Sequence, residues 1–415
     1  MSVRLLFLLI ALLIPVVSLA AETPAEKAGY APKLTIYLAK GAANACGAGC
    51  DRWIAIEGEI DRDAAARIRR FLAGVKDTQR PIFLHSPGGN VEQSYAIARL
   101  LRTRKAIARV GRSIVPACAA SQVDAKCLKI KNAAGEIEAE LVTRNAMCNS
   151  ACTYLFLGAV DRAVAPDALM AVHNSRLTLV VHGHPPPQLV ADYRKRQMVT
   201  ADRDRAAFVA AMGIKRELND LIRTVKFEDH HTLTRPELYR FGIDTRPLAE
   251  TMWTLEKGEH PYIRKIAMER RGDDGANFRM MEWRLLCENR NRVPFMFVRE
   301  FDEAAAGKKS IVMAAGADNS DEIGGSLVRF GKYEVWSGSV APDGVKAIAA
   351  SPSLQVREAA AMPDGKATMT KFEIDTIGLA PAWTQLVASC PAAPAAAKPA
   401  GLPAASAIPS ATPQP

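Results

Sequence analysis

Aromatic side chains make up only 6% of the 415 residues, and positive charge, though in formal excess by 10, is spread along the chain. The densest basic runs, residues 67–70 and 102–105, fall on or at the end of amphipathic helical stretches and read as solvated faces. A nucleic-acid binder needs a basic patch on a recognisable motif, with aromatics on which bases can stack. That combination is missing, so nucleic acid is not an expected partner. No internal repeat is present, which excludes an array of stacked units. After the first 20 residues no apolar run approaches the roughly 20 residues that a spanning helix needs.

What the chain does have begins with Arg4, an apolar run over 5–17 and a small-x-small site at Ser18-Leu19-Ala20. This is the layout of a secretory signal peptide over 1–20, cleaved after Ala20, the rival reading being an uncleaved anchor. The mature protein is then expected to be periplasmic or secreted. Eight cysteines stand at 46, 50, 118, 127, 148, 152, 287 and 390. An even count in an exported chain favours disulfides. Zinc is the competing reading, because Cys46/Cys50 and Cys148/Cys152 have tolerable ligand spacing. No cofactor is expected.

The length suits two domains, and a hydrophobic fraction of 49% can build their cores. Residues 21–250 alternate strand and helix. Strands are expected over 34–38, 53–57, 81–85 and 169–173. Helices are expected over 61–74 with Asp61 as cap, then 91–104, 150–158, 187–212 and 215–225. This rhythm argues for βαβ units and a mostly parallel sheet. Residues 112–147 interrupt it as an insertion with a hairpin-like turn at 132–135, stapled by at least one disulfide through Cys118 and Cys127. Beyond 250, two-residue alternation over 281–287, 295–299, 327–330, 333–336 and 369–374 predicts a small antiparallel β domain over 251–390. Cys287 and Cys390 bracket that domain and are its best candidate pair. Residues 391–415, rich in Pro, Ala and Ser, read as a disordered tail.

Three segments carry candidate chemistry. Ser86-Pro87-Gly88-Gly89 follows a strand, and its glycines leave backbone amides open to an oxyanion. Taken alone it is a turn. Cys148-Asn149-Ser150-Ala151-Cys152 opens a helix, so Ser150 is either an N-cap or a nucleophile facing the free amide of Ala151. His173 follows Ser150 by 23 residues at the end of an apolar strand. It is either a structural histidine or a base for Ser150. A separate metal reading rests on His182-Gly183-His184 and the Glu228-Asp229-His230-His231 cluster.

In that order, the three segments resemble the Clp-protease proteolytic subunit and its crotonase-fold relatives, and more closely exported Clp-like proteins of bacteria. The resemblance covers residues 34–245. It implies an α/β, ClpP/crotonase-like βαβ spiral domain, followed here by the antiparallel β domain. It implies Ser150 as nucleophile, His173 as base, and Gly88 and Ala151 as oxyanion donors. The family's acid precedes a helix ending in Tyr-Gly-hydrophobic-x-Asp. Counting back along 233–244 places that acid near His230, with Asp229 chosen to orient His173. The expected function is an exported serine hydrolase acting on a peptide or protein by acyl transfer. The alternative is a non-catalytic periplasmic binding protein on the same fold. Assembly of identical copies is compatible with either. No ATPase partner is expected, since an exported protein meets no ATP to drive an unfoldase.

Overall fold

The computed structural model describes residues 32–390 apart from 119–120, 178, 180–182, 289–291, 302–308, 316–320 and 362–366. The expected signal peptide, the tail and His182 therefore lie outside the described residues.

The first half is built on a six-stranded sheet. Its order is Glu136–Glu138, Thr35–Lys40, Arg52–Glu57, Ile82–His85, Ile107–Val110 and Asp161–Ala163. Every neighbouring pair is parallel except Thr35–Lys40 with Arg52–Glu57. Trp53, Ile54, Ala55 and Ile56 are all buried, the unbroken apolar run of a strand covered on both faces. Helices Ala64–Gly74 and Val91–Thr103 supply Ile68, Leu72, Ile97 and Leu101 to one core. A second core on the other side gathers Tyr37, Trp53, Phe83 and Leu141.

Two local expectations differ from what is found. The first helix is capped at Asp63 without a side-chain bond, because the Asp61 carboxylate is held by Arg67 and the Asp63 amide. The turn at 132–135 joins helix Ala125–Lys131 to strand Glu136–Glu138, which pairs in parallel with Thr35–Lys40; it is not a hairpin. The insertion docks through a buried ion pair: Lys131 Nζ lies 2.8 Å from the Glu57 carboxylate, which also accepts from Tyr37 Oη and the Ser113 amide. The sheet is mostly parallel, as expected, with a single antiparallel pair between Thr35–Lys40 and Arg52–Glu57.

In the second half the described strands all pair antiparallel, accompanied by helices Pro342–Ala350 and Leu379–Ser389. One sheet runs Leu248–Glu250, Tyr262–Arg271, Asn277–Leu286, Val293–Glu300, Tyr333–Val340, Gly325–Phe330, with Thr254–Glu256 beside the second strand. A four-stranded sheet orders Asp321–Ile323, Lys309–Ala315, Ser353–Ala361 and Ala367–Asp375. Alternation is direct: Val293, Phe295, Phe297 and Arg299 point inward along one strand. Arg299 is the polar member, and its guanidinium is met by Glu334 and Glu358. Trp283, Phe295 and Trp336 centre this separate core.

All eight cysteines are joined, as Cys46–Cys50, Cys118–Cys127, Cys148–Cys152 and Cys287–Cys390. Four disulfides suit an oxidising compartment. Among the described residues no helix is long and apolar enough to cross a membrane.

Candidate active site

Backbone hydrogen bonds bring the three candidate segments side by side. The Ser86 amide donates to Met147 O (2.8 Å), Cys148 N to Leu169 O (2.9 Å), and Asn149 N to Ser86 O (3.0 Å). Ser150 N donates to Ala171 O at 2.8 Å, and Ala171 N donates back to the Asn149 side-chain oxygen at 3.0 Å. Ala171 and His173 are two residues apart on one extended segment, so their side chains share a face. The Ser150 backbone is thereby tied to that segment two residues before His173.

Helix Ala151–Leu157 is buried on every face, which fixes its N-terminus against the sheet. Ser150 occupies the N-cap position, yet its side chain makes no cap bond. The choice posed by the sequence therefore falls away from simple capping, since the hydroxyl is not consumed. Its backbone sits at φ 55°, ψ −124°, a region that side-chain-bearing residues adopt at a cost of about 1–3 kcal/mol. The Cys148–Cys152 disulfide closes across it.

Gly88, at φ 110°, lies directly against this turn. A Cβ there would stand 2.7 Å from the Ser150 Cβ and 3.0 Å from the Ala151 amide nitrogen. Only glycine fits. The Gly88 amide itself donates to Ser86 Oγ at 3.1 Å. The Ala151 amide, first in its helix, has no acceptor among the described residues.

His173 is buried, with its ring against His230 (centroids 4.7 Å apart) and Phe227 (5.0 Å). Burial first, and the charge of His230 second, hold its pKa below the usual imidazole value. The ring is thus neutral at pH 7, the form a general base requires. Among the described residues its buried Nδ1 has no hydrogen-bond partner, and Ser150 Oγ forms no hydrogen bond with the ring. Asp229 is exposed on the turn after Val225 and does not reach Nδ1. Its neighbour Glu228 pairs outward with Arg176 at 3.0 Å.

Sequence reasoning missed two contributors. Asn149 clamps the histidine segment through Ala171, and its only signal was adjacency to Ser150. His230 stands at the position that the family pattern reserves for an acid, and its ring packs against His173. The Tyr239–Asp244 segment is structural: Asp244 is buried between Arg235 and Arg246, which hold its carboxyl well below the usual range against the opposing effect of burial. Of the proposed metal residues, His231 Nε2 is taken by Glu237 at 3.0 Å. Among the described residues no three His, Cys, Asp or Glu side chains gather as a metal site.

Neither a family model nor a curated protein matches the chain. Among solved structures, it is similar to the 1510-N membrane-bound stomatin-specific protease, with 16% identity, TM-score 0.29, 46% of this chain and 75% of that one covered. The same protease in complex with a substrate peptide gives 17% identity, TM-score 0.28 and coverages of 46% and 71%. ClpP1 from Listeria monocytogenes gives 16% identity, TM-score 0.26 and coverages of 45% and 85%.

Proposed function

We propose that the chain is an exported serine hydrolase of the peptidase kind, on a ClpP/crotonase-like core, with Ser150 as nucleophile and His173 as base. The observation that carries this reading is the uncapped Ser150 hydroxyl at a helix N-terminus. Its backbone is tied to Ala171, two residues before a buried histidine held neutral.

In the proposed cycle His173 takes the Ser150 proton as Oγ attacks the carbonyl carbon of a peptide or protein substrate. The tetrahedral oxyanion is received by the Ala151 amide and by Gly88, whose N–H turns from Ser86 Oγ. The imidazolium then returns the proton to the leaving amine. Water, activated by the same ring, releases the acyl group from Ser150. Hydrogen bonds of this kind are often long before substrate binds. Export, by cleavage after Ala20, belongs to the same proposal, as does assembly of identical copies.

A second reading, a periplasmic binding protein that keeps the fold without the chemistry, is favoured by the orphaned His173 Nδ1. A fluorophosphonate probe separates the two. Under the hydrolase reading it labels the mature protein, and Ser150→Ala abolishes labelling. A folded wild type that stays unlabelled overturns that reading.

A further inference from the structure

A cavity of about 540 Å³ opens between the two halves of the chain, and none of the residues around Ser150 lines it. Its walls come from the loop before Cys46, the paired strands Arg112–Ile114 and Glu140–Val142, the segment 252–257, and the start of helix Leu379–Ser389. That volume lies within the range of small-ligand sites, roughly 300–1,000 Å³, which favour domain boundaries.

The polar groups facing it are unequal in charge. Arg112, Arg144 and Lys257 line it, against one acid, Glu140. Arg144 is already committed to Glu256 and to Thr254 Oγ1. Arg112 is not committed. Its guanidinium makes no hydrogen bond or ion pair among the described residues, and its Nε is buried without a partner. A buried donor left unpaired is destabilising, and more so when it is charged. An arginine fork held in that condition matches a carboxylate, which it engages through two parallel N–H bonds. Beside it Met252, Trp253, Leu255 and Pro381 offer an apolar wall.

From this geometry we infer that the cavity binds a small carboxylate carrying an apolar body, with Arg112 as its anchor. Glu140 sits on the same wall and disfavours ligands of higher negative charge, so a monocarboxylate is selected over a phosphate or dicarboxylate. The site is independent of Ser150.

The test uses the full mature chain, with N-acetyl-phenylalanine as probe and its uncharged amide as control, followed by calorimetry and by Trp253 fluorescence. The acid is expected to bind at least tenfold more tightly than the amide. Arg112→Gln is expected to reduce that preference to near unity while fluorophosphonate labelling of Ser150 is unchanged. Because the guanidinium has no partner among the described residues, Arg112→Met is expected to leave Tm the same or higher, which separates lost binding from lost fold. Equal binding of acid and amide, no binding of the acid at millimolar concentration, or full acid binding by Arg112→Gln each overturns the inference.

Discussion

Ser150 holds a backbone conformation that a side chain disfavours, and His173 holds a neutral ring inside the fold. Both conditions can be read in solution. Replacing Ser150 by Gly removes the Cβ conflict at φ 55° and is expected to raise stability by about 1 kcal/mol while abolishing probe labelling. Ser150→Ala keeps the Cβ and gains nothing. Denaturant unfolding of the two variants checks this.

The pH dependence follows from the direction of the His173 shift. Its folded pKa lies below the ordinary 6.5, so as pH falls the unfolded chain takes up the proton first. Stability from the neutral ring is complete above that ordinary value and is lost as pH falls through the folded pKa. The acid limb of kcat/KM is expected to have its midpoint below 6.5. His230→Gln removes a positive neighbour and is expected to move that limb upward. Glu228, which acts in the opposite sense, remains in place. A pH–rate profile with its midpoint at or above 6.5 in the wild type would contradict the assignment.

At the scale of elements, the Ser86–Asn90 turn and the N-terminus of helix Ala151–Leu157 form one unit. Gly88→Ala would drive a methyl to 2.7 Å from Ser150 Cβ and 2.8 Å from Asn149 O, at a φ that alanine resists. A loss of about 2 kcal/mol or more, together with loss of labelling, is expected. Thermal melting and probe labelling of the variant check it. The packing behind the unit is equally tight, since a Cβ at Gly158 would meet Ala98 O at 2.3 Å where helices Val91–Thr103 and Ala151–Leu157 cross. The sequence showed most of these elements, because apolar runs and two-residue alternation report local burial directly. It misjudged the start of the first helix and the 132–135 turn. In both places a distant or side-chain contact overrides local preference: Asp61 turns to Arg67, and the strand after the turn joins Thr35–Lys40.

On the scale of the whole molecule, the two halves keep distinct cores, yet they are not cleanly separable. Met252 packs beside Tyr37 and Trp53 in the first half, and Arg144 reaches across to Glu256. A fragment ending at 250 is therefore expected to melt below the full chain, as calorimetry would show. Disulfide position sets a second expectation. Cys287–Cys390 spans 103 residues and Cys148–Cys152 only 4, so loop entropy assigns about 4–5 kcal/mol to the first and about 2 kcal/mol to the second. Removing each pair by double alanine replacement and measuring urea unfolding tests the order.

By itself the sequence determined the alternation of strand and helix, the β-rich second half, and the identity of Ser150, His173 and Gly88 as candidates. Those features depend on neighbours in the chain, where periodicity and turn chemistry act. Tertiary structure alone decided that Ser150 leaves its helix uncapped, that His230 stands beside His173, and that Asp229 faces outward. It alone placed Arg112, without a partner among the described residues, on the wall of a cavity. Each of these depends on the meeting of residues far apart in sequence, where burial and the supply of hydrogen-bond partners are set by the packed fold as a whole.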